Sequence, residues 1–284
     1  MSHFTIRKVL VVLVLLVLAT FEPGKGRGQI HRDGKLLTSD LSAAISRNVL
    51  LSNSLAWTFG SKPQRGWYLY TPLISRLLNT KNAVGSRGFA KSLASWQRTM
   101  GLKSTGVLDD QSLYGMITVW QGARLKDREV ASPDRLVTVP ISEFYDPTRA
   151  EELRKVERAT YAAYKKMVAA AVADRSLGLA RGAHGELAPG EKFLKIVSAF
   201  RSREYQDKLR RESPNSGTAG LAVNSPHFTG RALDLYVGGE PVDTLDSNRA
   251  LQVQTPVYKW LVRNAQRFGF RPYFYEPWHW EYVK

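Results

Sequence analysis

Two stretches toward the C-terminal end gather side chains that bind metals and move protons. One is Ser225-Pro-His227-Phe-Thr-Gly230-Arg-Ala-Leu-Asp234; the other is Glu276-Pro-Trp278-His279-Trp-Glu281-Tyr282. Two imidazoles and one carboxylate are a sufficient set of protein ligands for a catalytic zinc, whose fourth position is left for water. His227, Asp234 and His279 supply that set, and Glu276 is left over to handle protons. Three residues before His279, Glu276 can reach water at the metal without ligating the metal, which is what a general base requires. Glu281 competes for that role, but its place after the histidine suits a supporting or surface carboxylate better. The chain has no cysteine. Any metal is therefore held by nitrogen and oxygen, and disulfides, thiolate zinc sites, a catalytic thiol and a lipid-modified cysteine are excluded.

Several elements must bring these residues together. Gly230 permits a tight change of direction after His227, and Ala232 to Asp234 suits a strand that turns the carboxylate toward the same cavity. By strand alternation Arg231 points the other way, as a structural or surface residue. His279 needs a second strand, which the β-prone run Tyr273-Phe274-Tyr275 could supply. Upstream, the apolar, β-branched run Phe193 to Phe200 reads as a strand delivering Arg201, with Tyr205 and Gln206 at the head of a helix. An arginine at a strand end with an amide one turn on can hold an anionic oxygen; a helix-terminus salt bridge is the plainer alternative. His184 stands alone in the glycine-rich connection from Ser176 to Gly190 and reads as a solvated residue.

The remainder of the chain sets the context. At 284 residues with 43% hydrophobic content, it is long enough for two domains with cores of their own. A formal charge of +16 points to anionic surroundings: nucleic acid, anionic lipid or acidic wall polymers. No basic-aromatic RNA-binding signature, zinc-finger spacing or basic heptad is present, which argues against nucleic acid. Arg7 and Lys8 before the apolar run Val9 to Ala19 read as an export signal or an uncleaved anchor over 1–22, followed by a flexible tether over 23–38. Leu41, Ile45, Val49 and Leu50 fall on one helical face, and Gly, Pro and Lys interrupt the pattern from Trp57 to Trp67. Pro72 opens a second helix, Phe89 to Gln97 lie on a third, and Asp109 or Asp110 can cap a fourth. The polar run 123–134 reads as a linker, Leu136 to Val139 as a strand, and Asp146-Pro147 as the opening of a long helix with Val156, Thr160, Tyr164, Met167 and Ala171 on its inner stripe.

Over about Pro72 to Gln121 the order Trp-Gln, Gly-Leu, Thr-Gly-Val-Leu-Asp and Ser-Leu resembles the peptidoglycan-binding repeat found beside many wall hydrolases, with tryptophan where phenylalanine usually precedes the glutamine. An ordinary helical packing domain is the alternative. From about Leu136 to Tyr282, Ser-x-His-x6-Asp and Glu-x-Trp-His, with the upstream Phe-Arg-Ser and Tyr-Gln, resemble the zinc D-alanyl-D-alanine carboxypeptidases and dipeptidases of the vancomycin-resistance type. That resemblance implies one zinc per chain on His227, Asp234 and His279, with Glu276 as base. It also implies Arg201 at the oxyanion, Ser225 and Gln206 against substrate, and Trp278 as a wall of the site. The implied architecture is α+β: a helical domain over 39–122, then a small antiparallel-sheet peptidase domain over 135–284. The implied protein is exported to the periplasm or cell envelope. It would trim peptidoglycan stem peptides, hold wall glycan through its N-terminal module and meet the membrane only through its signal. An endopeptidase of the same fold is the near alternative, and a non-catalytic wall-binding protein the distant one.

Overall fold

The first helix docks through a polar residue. Helix α1 (Thr38–Ser54) buries Leu41, Ala44, Asn48 and Ser52, spaced three to four apart, while Val49 and Leu50 are exposed. This corrects the apolar face expected through Val49 and Leu50. Asn48 decides the rotation: its side-chain amide donates to the Gly106 carbonyl and accepts from the Leu108 N–H, each at 2.8 Å. A buried amide satisfied at both ends outweighs the exposure of two aliphatic side chains. The computed structural model describes residues 38–213 and 221–284. The export segment expected over 1–22, and the tether up to residue 37, lie outside them.

The interrupted pattern after α1 is a hairpin, β1 (Ala56–Phe59) and β2 (Lys62–Arg65), closed by Gly60 and Ser61, both at positive φ. Two left-handed residues between antiparallel strands match the twist such a turn needs. Three helices follow: α2 (Thr71–Leu77) with Pro72 in its first turn, α3 (Arg87–Thr99) capped by Ser86, and α4 (Asp110–Gly122) capped by Asp109. Gln97 ties the last two together, donating to Ser112 Oγ and the Val107 carbonyl and accepting from the Gly106 N–H.

Strand β3 (Leu136–Thr138) pairs with β4 (Lys155–Glu157), and helix α5 (Arg158–Ala173) starts only after it. The long helix expected from Asp146 is therefore shorter. Asp146 binds the Thr148 N–H in a local turn, Val156 pairs with Val137, and Glu157 Oε2 caps α5 by accepting from the Thr160 N–H. Strand β5 (Ile196–Ser198) is shorter than the expected run because Leu194 takes a left-handed φ of 67°. Helix α6 (Arg203–Glu212), strand β6 (Ala232–Leu235), helices α7 (Asp246–Gln254) and α8 (Pro256–Asn264), and strands β7 (Phe270–Pro272) and β8 (His279–Tyr282) complete the order.

The principal sheet is antiparallel in the order β5-β6-β8-β7. Leu233, Leu235 and Trp280 are buried on one face of it, where Tyr258 of α8 meets the Trp280 ring edge-on at 6.3 Å. The other face carries the polar residues. The class is α+β, as expected. Leu36–Lys284 form one compact unit, in which a single hydrophobic cluster runs from Trp57 and Trp67 through Trp120 to Phe274 and Trp280. Among the described residues no helix is long and apolar enough to cross a membrane.

Candidate active site

Asp234 and His279 face each other directly across β6 and β8, and Ser198 sits opposite Asp234 on β5. Side chains alternate between faces along a strand, so Ala232 and Glu281, two positions further on, share the face of Asp234 and His279. Ala232 is the cross-strand partner of Glu281. Its single methyl leaves space for that carboxylate to turn back against His279. His227 enters from a 3-10 turn, Pro226–Thr229, whose cap is Ser225: the Ser225 Oγ accepts from the His227 N–H. Gly230 ends the turn at φ +66°, where a Cβ would lie 2.9 Å from the Glu157 nitrogen. Only glycine lets the chain pass this close to β4 and swing into β6.

Each imidazole is oriented by the nitrogen that faces away from Asp234. His227 Nδ1–H donates to the Ala199 carbonyl at 2.6 Å, which leaves Nε2 toward Asp234 Oδ1 at 3.4 Å. His279 Nε2–H donates to Glu281 Oε1 at 3.2 Å, which leaves Nδ1 toward the same Asp234 oxygen at 2.9 Å. The tautomers follow from these partners. The three ligand atoms lie within 4.8 Å of one another, and all three residues are buried. Ligands of a tetrahedral zinc at 2.0–2.1 Å stand about 3.3 Å apart. With the His279 Nδ1 proton removed, two ring nitrogens and a carboxylate oxygen within 4.8 Å of one another make a donor set that fits a zinc ion.

The second layer holds this set in place. Asp234 Oδ2 accepts from Arg201 Nη2 at 2.7 Å, while Arg201 Nε donates to Ser198 Oγ and Nη1 to Gln206 Oε1. Burial alone would raise the Asp234 carboxyl, but His227, His279 and Arg201 hold it well below the ordinary carboxylate range. Burial and the Arg201 charge push His227 down to about 4, against the pull of Asp234. For His279 burial works downward as well, yet the hydrogen bonds to Asp234 and Glu281 outweigh it and raise the imidazole to about 9. Glu281 is fully buried; Arg124 binds its Oε1 through Nε at 3.0 Å and through Nη2, and the Leu125 N–H binds Oε2 at 2.9 Å. Against its burial, these partners and His279 pull Glu281 down to about 2.

Glu276 stands in a turn, not in the strand expected at Tyr273 to Tyr275. The turn closes through the Glu276 N–H to the Tyr273 carbonyl at 3.2 Å and the His279 N–H to the Glu276 carbonyl at 3.0 Å. Its Phe274 ring is clamped by Phe59, Tyr70 and Trp120 at centroid distances of 4.7, 5.4 and 5.8 Å. Helical and hairpin residues far upstream thus fix the height at which Glu276 is presented. Burial pushes the Glu276 carboxyl up to about 8; Asp234 adds to the rise, while His279, Arg201 and Arg124 oppose it.

A cavity of about 290 Å3 joins these groups. Glu276, His227, Asp234, His279, Arg201, Ser225 and Trp278 all line it. Gln206 does not: it is 1% exposed, and its amide spans Arg201 and the Ala222 carbonyl. His184 lies in an exposed loop, and Arg231 stacks on Tyr282 at the end of the chain. Arg124, Leu125 and Arg128 fall in the run expected to be a linker, yet Arg124 and Leu125 hold Glu281, and Arg124 and Arg128 line the cavity. Their mark in the sequence is slight: two arginines four apart around one apolar residue in a polar run.

The site's surroundings agree with a known family. Residues 154–284 match the VanY family, described as D-alanyl-D-alanine carboxypeptidase. No curated protein matches the chain. Among solved structures the chain is similar to that of the LdcB LD-carboxypeptidase, described as revealing the molecular basis of peptidoglycan recognition, with 25% identity over 54% of this chain and 69% of that one and a TM-score of 0.38. Residues 154–284, which include the sheet that pairs Asp234 with His279, are thus similar to the VanY family, described as D-alanyl-D-alanine carboxypeptidase.

Proposed function

We propose that the protein is an exported zinc peptidase that removes the terminal D-alanine from peptidoglycan stem peptides. The observation that carries this reading is the convergence of His227, Asp234 and His279, each oriented by its own partner, on one cavity that also holds Glu276. Zinc bound there would polarise the scissile carbonyl and make water a competent nucleophile at neutral pH. Glu276 takes the proton from the attacking water and returns it to the departing amine, a role suited to a carboxyl whose pKa burial has brought near neutrality. Arg201 fixes the Asp234 carboxylate and turns its guanidinium edge to the cavity, where it meets the charge that develops on the carbonyl oxygen. Trp278 and Ser225 bound the space in which the substrate lies. The helical segment before the family domain serves as a wall-binding module, and the net charge of +16 favours retention on anionic envelope polymers.

The test is digestion of purified wall fragments by the zinc-loaded full chain, followed by mass spectrometry. Loss of a single alanine from pentapeptide stems is expected. Opened cross-links or shorter stems would replace the carboxypeptidase with an endopeptidase, and an unchanged spectrum would remove the peptidase reading.

A further inference from the structure

A carboxypeptidase must recognise a free chain end, and the chemical mark of that end is a carboxylate. Three guanidinium groups line the cavity beside Glu276: those of Arg124, Arg128 and Arg201. Two of them are already neutralised. Arg201 is paired with Asp234 at 2.7 Å, and Arg124 with the buried Glu281. Arg128 makes no ion pair with a described carboxylate; its Nη1 donates to the backbone carbonyls of Leu125 and Asp127. These bonds hold the fork in one orientation while leaving its charge uncompensated. The group is half-buried, near enough to Glu281 and Arg124 for their charges to act on it. Leu209 and Val242 line the same cavity and offer an apolar wall of the kind a small methyl side chain would lie against.

We infer that Arg128 is the anchor for the α-carboxylate of the substrate's last residue, and that this anchor places the cut one residue from a free C-terminus. The inference rests on the peptidase reading above and deepens it. A planar guanidinium presents two parallel donors to a carboxylate, and a partly desolvated site strengthens that pairing. Arg128 lies upstream of residue 154, where the family match begins. The end-recognising group is thus contributed by the segment that precedes the family domain, through a stretch the sequence presents as a linker.

The experiment compares a stem pentapeptide ending in D-Ala-D-Ala as the free acid with the same peptide as its C-terminal amide. The zinc-loaded full chain is expected to prefer the acid by roughly 10- to 100-fold in kcat/KM, the worth of a charge-assisted pair. Arg128→Gln, whose amide keeps a donor for the Leu125 and Asp127 carbonyls, is expected to bring the acid down to the amide's level. Arg128→Lys is expected to restore part of the preference, which a purely structural role for the fork would not do. A second arm measures binding of both peptides by calorimetry to the full chain carrying Glu276→Gln, with and without Arg128→Gln. Tighter binding of the acid only when Arg128 is present supports the anchor; equal binding of acid and amide to the protein with Arg128 intact overturns it, as does a preference that survives Arg128→Gln. If the zinc-loaded protein hydrolyses neither peptide, the peptidase reading falls, while the binding arm still decides whether Arg128 holds a carboxylate.

Discussion

Replacing Glu276 by glutamine separates what this carboxylate does for the reaction from what its burial costs the fold. A carboxyl held at about 8 in the folded protein, against 4.5 for the free group, keeps its proton in the native state while the unfolded chain loses it. Stability changes with pH in proportion to the protons bound by the unfolded state minus those bound by the native state. Here that difference is negative between the two values, so the wild type loses stability as pH rises from about 4.5 to about 8 and levels off above. This sign is opposite to that of a salt-bridged carboxylate such as Glu281, whose value is depressed. At 1.36 kcal/mol per pKa unit, a shift of 8 minus 4.5 corresponds to about 5 kcal/mol at the top of the window and about 3 kcal/mol at neutral pH. Glutamine has nearly the same shape and no ionisation, so Glu276→Gln should stabilise the metal-free protein by an amount that grows across this window. Urea unfolding with a chelator present, repeated from pH 4.5 to 9, reads the effect as the difference in midpoint between wild type and variant. A difference that stays flat with pH, or a variant less stable throughout, would refute the argument. With zinc bound, the cation favours the ionised carboxylate and the difference should shrink. In that state the variant's cost appears in turnover, as a loss of about 10²- to 10⁴-fold in kcat.

Glu281→Gln removes the acceptor charge behind His279 and should weaken zinc binding by about 10- to 100-fold, read by competition with a chelating dye; an unchanged affinity would mean the Arg124–Glu281 pair serves the fold alone. Because His279 in the metal-free site is raised to about 9, zinc must displace a proton, so its apparent affinity should rise by about tenfold per pH unit up to that value and then level off, and calorimetry in buffers of different ionisation enthalpy should detect the released proton. Phe274→Ala empties the aromatic clamp of Phe59, Tyr70 and Trp120 and should cost about 3–5 kcal/mol in urea unfolding; a loss below ~1 kcal/mol would show that the Glu276 turn stands without it.

How much of this could be read from the chain alone depends on whether the determinant is local. The pairing of His227, Asp234 and His279 was legible because metal ligands need particular donor atoms and a glycine must release the turn before β6. The cap at Asp109 was legible for the same reason: a side-chain oxygen meets an N–H three residues away. Misreadings arose where a distant partner decided. Val49 and Leu50 carry the right spacing for a buried face, but Asn48 takes the interface because the carbonyl and N–H it satisfies lie some 60 residues away. The strand expected at Tyr273 to Tyr275 is rich in β-prone aromatics. The Phe274 ring instead packs against Phe59, Tyr70 and Trp120, Tyr273 and Tyr275 meet Phe59, and the backbone is left to turn. Val156 has helical spacing with Thr160 and Tyr164, yet its pairing with Val137 makes it a strand residue, a choice invisible within either segment.

The same distinction bears on where the family domain's site ends. The match covers residues 154–284 and includes every residue that would touch the metal. The groups that orient those residues do not all lie within it. His279 is aimed by Glu281, Glu281 is held by Arg124 and the Leu125 N–H, and the Glu276 turn is clamped from β1, the Tyr68–Tyr70 turn and α4. A carboxylate as buried as Glu281 is costly without partners, and besides His279 its partners, Arg124 and the Leu125 N–H, come from the preceding segment. Cutting the chain at the family boundary would leave that carboxylate without its guanidinium and the aromatic face of the turn exposed to water. The preceding helices therefore act on the chemistry of the site by fixing its geometry, whatever else they bind.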